Sequence, residues 1–170
     1  AGEERATITS APNFAYQLCA RAAADGDLDG IDLSSLTAAV CGGEPVWPET
    51  VRAFADAFAP FGFDEGAFAP SYGLAEATLL VSSGRRRGGP RIFSGPVRDE
   101  DAATGSTDVR AVLLGPPVGS VAVRILDAAG NVLPEDAIGD IEISGPSVGR
   151  AAGSGDPDAA GPRALTGDLG

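Results

Sequence analysis

The rhythm of apolar and polar positions changes about halfway along the chain. In the first half, short apolar runs alternate with stretches of helical period. Ala6-Thr7-Ile8-Thr9 predicts a short strand. Ser10-Ala11-Pro12 then opens a helix from about Asn13, with Phe14, Leu18, Cys19 and Ala22 on one face. Leu36 to Cys41 is a compact apolar run, expected as a buried strand, and Gly-Gly-Glu-Pro breaks it. Pro48 starts a second helix that runs through Ala59, with Val51, Phe54, Ala55 and Phe58 facing inward and Pro60 closing it. Ala67 to Pro70 leads into a strand ending at Tyr72-Gly73.

From about Arg91 the pattern changes, with clean period-two alternation in Asp140 to Ser144. Val109 to Leu114, Val121 to Leu126 and Asp140 to Ser144 predict strands, separated by Gly115-Pro116-Pro117, Ala129-Gly130-Asn131 and Gly139. Residues 149–162, rich in Gly, Ala, Pro and Asp, are expected to form a flexible surface loop. The pattern therefore predicts an α/β part over residues 1–90 and a β-rich part over residues 91–170.

Composition narrows the chemistry. The 170 residues carry 24 acids against 12 bases, a net charge of −12, and every base is arginine. With no histidine there is no imidazole base or ligand, and with no lysine there is no Schiff base or phosphate-loop lysine. So acidic a chain lacks the cations that displace phosphate counterions, and nucleic-acid binding is not expected. The Arg85–Arg87 run, set between glycines, predicts a solvated loop. The acidic stretch from Asp25 to Ser35 lacks the closing glutamate of a calcium loop. Cys19 and Cys41 sit among apolar neighbours, which predicts two buried free thiols in a reducing compartment. No apolar run reaches the roughly 18 residues of a membrane span and no signal peptide opens the chain. A soluble, cytoplasmic protein is expected. The chain does not begin with methionine, which suggests a piece of a longer one.

Four short stretches carry candidate chemistry. Cys41 to Val46 (CGGEPV) ends a strand in two glycines, leaving backbone groups uncovered for a flat ligand; a plain strand-to-helix turn reads the same way. Ser71 to Leu80 (SYGLAEATLL) places Tyr72 at the carboxyl end of a strand, where α/β sheets hold ligands. That ring can stack on a base, Gly73 admits close approach, and Glu76 is a hard-oxygen group suited to Mg²⁺. A half-buried tyrosine and a surface acid at a helix start is the structural alternative. Asp168, in the closing LTGDLG, can accept two hydrogen bonds from a ribose diol, or simply complete a Gly-Asp turn. Gly139 to Arg150 (GDIEISGPSVGR) reads as a strand and a turn.

Taken in order, GGEP, YGLAE, GDIEISGPSV and TGDLG resemble the core motifs of adenylate-forming enzymes, the AMP-dependent synthetase and ligase superfamily. Within it, Ser10 to Cys19 (SAPNFAYQLC) and Phe68 to Ser82 (FAPSYGLAEATLLVS) are most similar to fatty acyl-AMP ligases. The resemblance covers nearly the whole chain. It implies part of the large N-terminal domain of such an enzyme: an α/β sheet layer followed by a small β-barrel-like subdomain.

By the same resemblance, Gly42, Gly43, Glu44 and Pro45 border the adenine of ATP. Tyr72 stacks on it, with Ser71, Gly73 and Leu74 beside it. Glu76 binds Mg²⁺, Asp168 holds the ribose, and Asn13, Phe14 and Tyr16 line the acyl channel. The implied reaction converts a fatty acid and ATP to acyl-AMP and pyrophosphate. The acyl group then passes to the phosphopantetheine thiol of an acyl carrier protein, in polyketide or lipopeptide biosynthesis. Transfer to CoA, or a truncated homologue without catalysis, are the alternatives. No phosphate loop and no lysine match within this chain, so it holds no catalytic residue of its own and is expected to be inactive alone. Arg163-Ala164-Leu165 precede Thr166 where the family has Leu-Arg, and the region from Ser82 to Asp108, where these ligases carry an insertion, is short.

Overall fold

The computed structural model describes residues 4–26, 28, 30–84, 88–99, 103–149 and 163–169. The Arg85–Arg87 run, Asp27 and Asp29 of the acidic stretch, and nearly all of the loop expected over 149–162 lie outside the described residues.

Among the described residues, nine strands and two α-helices follow the predicted change of rhythm. Strand β1 (Ile8–Ala11), helix α1 (Asn13–Asp25), β2 (Ala38–Cys41), α2 (Pro48–Phe58), β3 (Phe68–Leu74) and β4 (Leu79–Ser83) make the first part. Strands β5 (Arg91–Arg98), β6 (Ser106–Leu113), β7 (Ala122–Leu126), β8 (Asp140–Ser144) and β9 (Arg163–Leu169) follow. The first four strands form one sheet in sequential order, with β1–β2 and β2–β3 parallel. Strands β5 and β6 pair, and β7, β8 and β9 form a three-stranded sheet with antiparallel pairs. Among the described residues these sheets are open, without the closure that a barrel-like subdomain implies.

The chain divides into two compact units. One comprises Ala1–Tyr72, Ser82–Phe93 and Arg110–Pro116; the other comprises Gly73–Val81, Ser94–Val109 and Pro117–Gly170.

The first unit is built around rings. Phe54 lies 4.9 Å from Tyr16 and 5.0 Å from Phe63, both edge-on, and 4.6 Å from Phe58. Tyr16 also meets Phe68 at 5.0 Å. Such edge-to-face contacts add to the area that each ring removes from water. Helix α2 delivers its share as its pattern predicts: Val51, Phe54, Ala55 and Phe58 are all buried.

Helix α1 does not turn as expected. Phe14 and Leu18 remain 54% and 55% exposed, Cys19 is exposed and so is Ala22. The inward face is Asn13, Tyr16, Ala20 and Ala23 instead. The cause is Tyr16: its hydroxyl donates to the Val40 carbonyl at 2.9 Å, so a ring with a polar tip can be buried without an unpaired group. The remaining alanines impose little preference of their own. Only Cys41 of the two thiols is buried; Cys19 rides outward with the rotated helix. No helix among the described residues is long and apolar enough to cross a membrane.

The second unit has a thinner core, with Ala77, Val81, Leu126, Ile141, Ile143 and Val148 buried. Ile141 and Ile143 alternate with half-buried or exposed neighbours along β8, as a sheet with one covered face requires.

Candidate functional site

In the first unit, the CGGEPV loop, the start of α1 and the end of β3 come together at one end of the parallel sheet. Strand β2 ends at Cys41, and Gly42 then passes directly against β3. A Cβ at Gly42 would lie 2.5 Å from the Ser71 carbonyl oxygen, so no other residue fits there. Gly43 takes φ +82° and faces open space, and Glu44 and Pro45 are exposed. The loop thus leaves β2 with its backbone accessible, as the two glycines predict.

Two hydrogen bonds join this loop to the start of α1. The Phe14 N–H donates to Glu44 Oε1 at 2.6 Å. The Trp47 N–H donates to Asn13 Oδ1 at 3.1 Å, and Asn13 is only 5% exposed. Asn13 and Tyr16 therefore have polar atoms engaged within the fold, while the Phe14 ring is open to contact. Burial pushes the Tyr16 phenol well above its ordinary value, with the neighbouring thiols adding to the effect. Burial also pushes the Cys41 thiol up to about 12, reinforced by the charge of Glu44. Neither group is a nucleophile near neutral pH.

Ser71 is buried in the middle of β3. Its Oγ donates to the Ala69 carbonyl and lies 2.8 Å from Ser83 Oγ, which ties β3 to β4. Tyr72 follows, half-buried. The ring thus stands at the carboxyl end of a parallel strand, where the sequence expects it.

In the second unit, the need for glycine beside Tyr72 has a direct cause. A Cβ at Gly73 would lie 1.6 Å from the Leu79 carbonyl oxygen, because the chain doubles back there. The reversal is a 3₁₀ turn, Ala75–Ala77, with Glu76 exposed on it. The helix start that the structural alternative placed at this acid is not formed; a single 3₁₀ turn between two strands takes its place. Thr78 and Leu79 then carry φ of 55° and 82°, a region unfavourable to both residues. Two bonds hold that strain. Thr78 Oγ1 donates to the Ser147 carbonyl at 2.7 Å, and the Gly149 N–H donates to the Glu76 carbonyl at 2.6 Å. The otherwise plain GPSVG stretch therefore braces the Glu76 turn.

Asp168 is exposed on β9. Asp140 pairs with Leu169 and Glu142 with Leu165, so residues 166–168 bulge opposite Ile141 alone. The Asp168 N–H donates to Thr166 Oγ1 at 3.1 Å across this bulge. The expected Thr-Gly turn is thus a bulge within a strand, a device that re-aims one side chain.

No cluster of three or more metal-ligating side chains occurs among the described residues. Mg²⁺ needs no such cluster when phosphates and waters complete its shell. One exposed carboxylate on a braced turn, as at Glu76, fits that mode. A separate groove of about 680 Å³ in the first unit, lined by Gly84, Gly89, Arg91, Leu114 and Pro116 among others, contains none of the residues singled out above.

Comparison with known proteins bears on this geometry. The model of a family described as AMP-binding enzymes matches residues 2–151. The chain is 36% identical over 154 residues to a 4-hydroxyphenylalkanoate adenylyltransferase of Mycobacterium tuberculosis, covering 86% of this chain and 25% of that protein. It is also 36% identical over 157 residues to the long-chain-fatty-acid–AMP ligase FadD32 of Mycolicibacterium smegmatis, covering 87% of this chain and 25% of the relative. Its fold overlays a fatty acyl-adenylate ligase from L. pneumophila, solved in complex with acyl adenylate and pyrophosphate. The TM-score is 0.79 at 31% identity, over 99% of this chain and 32% of that one. The chain thus spans about a quarter of the length of the curated relatives it matches.

Proposed function

We propose, from the premise that this chain belongs to the AMP-binding enzyme family, that the whole protein activates a fatty acid as its acyl-adenylate. The fatty-acid carboxylate attacks the α-phosphorus of ATP, forming acyl-AMP and releasing pyrophosphate. The carrier protein's phosphopantetheine thiol then attacks the acyl carbon, forming a thioester and releasing AMP, in the assembly of a polyketide or lipopeptide. The observation that carries this reading is the overlay of nearly the whole chain on a ligase that holds acyl adenylate and pyrophosphate.

The residues support it. The nucleophile is already ionised near neutral pH, so the reaction needs alignment and charge neutralisation rather than a base. A chain without histidine is suited to that. The backbone of Gly42, Gly43, Glu44 and Pro45 borders the adenine, and Tyr72 stacks on it, flanked by Ser71, Gly73 and Leu74. Asp168 accepts hydrogen bonds from the ribose diol. The Phe14 ring touches the acyl chain, backed by Asn13 and Tyr16. Mg²⁺, held at Glu76, supplies neutralisation of phosphate charge. Residues 1–90 and 91–170 are in this reading two pieces of one AMP-binding domain.

The test uses the full-length protein with ATP, Mg²⁺ and a panel of fatty and aryl-alkanoic acids. CoA or a phosphopantetheinylated carrier protein is offered as acceptor. Acyl-AMP that persists with CoA and is consumed by the carrier is the expected result. Acyl-CoA would assign the acceptor to CoA, and no adenylate with any acid would remove the reading. Asp168→Ala is expected to raise the apparent KM for ATP; an unchanged value would remove its ribose role.

A further inference from the structure

The start of α1 is unusual for what it lacks. Its N-cap is Pro12, which has no side-chain acceptor, and its first turn (Asn13 to Tyr16) has no acid. Helix starts leave backbone N–H groups without intrahelical partners, and an oxygen acceptor normally meets one of them. Here that oxygen comes from thirty residues away: Glu44 Oε1 accepts from the Phe14 N–H at 2.6 Å.

We propose that Glu44 is a positioning residue whose side chain fixes the distance between the acyl-channel helix and the adenine-bordering loop. The inference rests on the adenylation reading given above and deepens it. The loop is seated at its beginning by Gly42 against the Ser71 carbonyl. It is seated at its end by Asn13, which accepts from the Trp47 N–H. Between those two anchors the Glu44 carboxylate is the tie to the exposed Phe14 turn. The loop backbone meets the nucleotide, and Phe14 meets the acyl chain. Together with the Asn13–Trp47 bond, this hydrogen bond sets how far apart the two substrates lie, and so where the carboxylate arrives relative to the α-phosphorus. The role asks for an oxygen acceptor at a given reach. It does not ask for a free negative charge facing the ligands, although the charge also favours the positive end of the helix.

Glutamine keeps an oxygen at the same reach, alanine removes it, and aspartate is shorter by one methylene. In the full-length protein, Glu44→Ala is expected to lower kcat for acyl-AMP formation about 10- to 100-fold, the scale of a misplacement near 1 Å. The KM for ATP should change little, and preference among acyl lengths should flatten. Glu44→Gln is expected to recover most of that loss, and Glu44→Asp little of it. A Glu44→Gln protein as impaired as Glu44→Ala would overturn the proposal, because charge rather than reach would then matter. Full activity in Glu44→Ala would overturn it too.

Hydrogen exchange at the Phe14 amide gives a readout independent of turnover. It should be slow in wild type and Glu44→Gln and fast in Glu44→Ala; rapid exchange in wild type would remove the cap itself. If wild type forms no adenylate with any acid, the adenylation reading fails and the positioning role falls with it. Slow exchange at Phe14 would in that case still establish the cap.

Discussion

The two compact units hold their candidate residues by different means. In the first, Gly42, Asn13, Ser71 and Tyr16 are set by a core of rings, by close backbone approach and by hydrogen bonds at least partly covered from solvent. In the second, Glu76 and Asp168 are exposed, and local devices hold them: a strained turn braced by Thr78 and Gly149 in one case, a bulge closed by Thr166 in the other. A packed core determines positions through many small contacts and tolerates no gap. A braced turn depends on a few bonds and leaves a carboxylate free to meet water, metal or ligand. Residues that shape a pocket suit the first environment; exposed charges suit the second.

That contrast can be attacked directly. Phe54, in contact with four rings, should show the largest effect. Phe54→Ala is expected to lower the unfolding free energy of the chain by about 3–5 kcal/mol in urea titration. Ile143→Val, at a fully buried position of the thinner core, should cost about 0.5–1.5 kcal/mol. Equal costs would erase the distinction between the two cores.

The glycines offer the same change in each unit. Gly73→Ala drives a methyl group to within 1.6 Å of a backbone oxygen, and Gly42→Ala to within 2.5 Å. Both are expected to destabilise by at least the roughly 1–3 kcal/mol of an overpacked site. Gly73→Ala should be the worse, as read from thermal midpoints.

Alkaline pH should act through the first unit. The folded Cys41 thiol keeps its proton up to about 12, against an ordinary value of 9.0, and Tyr16 is raised in the same sense. Between those values the unfolded chain binds fewer protons than the folded one, so stability falls as pH rises. The contribution is complete below pH 9 and is lost on the way to 12. A thermal midpoint that falls between about pH 8.5 and 11, and falls less in Cys41→Ala, is the expected outcome.

The smallest effects belong to ion pairs. Arg124 and Glu142 face each other across β7 and β8 with Glu142 mostly covered, so Arg124→Ala should cost about 0.2–1 kcal/mol. Arg110 and Glu49 are both exposed, and Arg110→Ala should leave the midpoint unchanged.

How much of this was legible in the sequence depended on whether local pattern decided the outcome. Helix α2 has a strong apolar face and Pro48 at its start, and its buried set follows directly. Strand β8 alternates cleanly and falls at its expected bounds. Helix α1 was harder, because its alanines leave the choice of face to one hydrogen bond, from Tyr16 to a strand 24 residues on. No periodicity encodes that partner. Strand β5 (RIFSGPVR) was missed because glycine and proline interrupt it. At the site, the order Tyr-Gly-x-x-Glu marked the end of a parallel strand and an exposed acid beyond it, and both are found there. The reason for its glycine, the return of the chain at Leu79, is a contact that only the fold reveals. The Glu44 cap had a faint signal: a helix with Pro12 at its N-cap has no side-chain acceptor at that position and no acid in its first turn, which points to one from elsewhere.

The central claim is that the turn bearing Glu76 serves adenylation with Mg²⁺. Its most direct test is fatty-acid-dependent ATP–pyrophosphate exchange by the full-length protein, compared with Glu76→Gln across a Mg²⁺ titration. The substitution removes one hard oxygen anion and leaves the braced backbone in place. The account predicts a loss of exchange at the Mg²⁺ level that saturates wild type, with partial recovery at higher Mg²⁺ and an unchanged melting temperature. Exchange by Glu76→Gln at the wild-type rate and the wild-type Mg²⁺ requirement would contradict it.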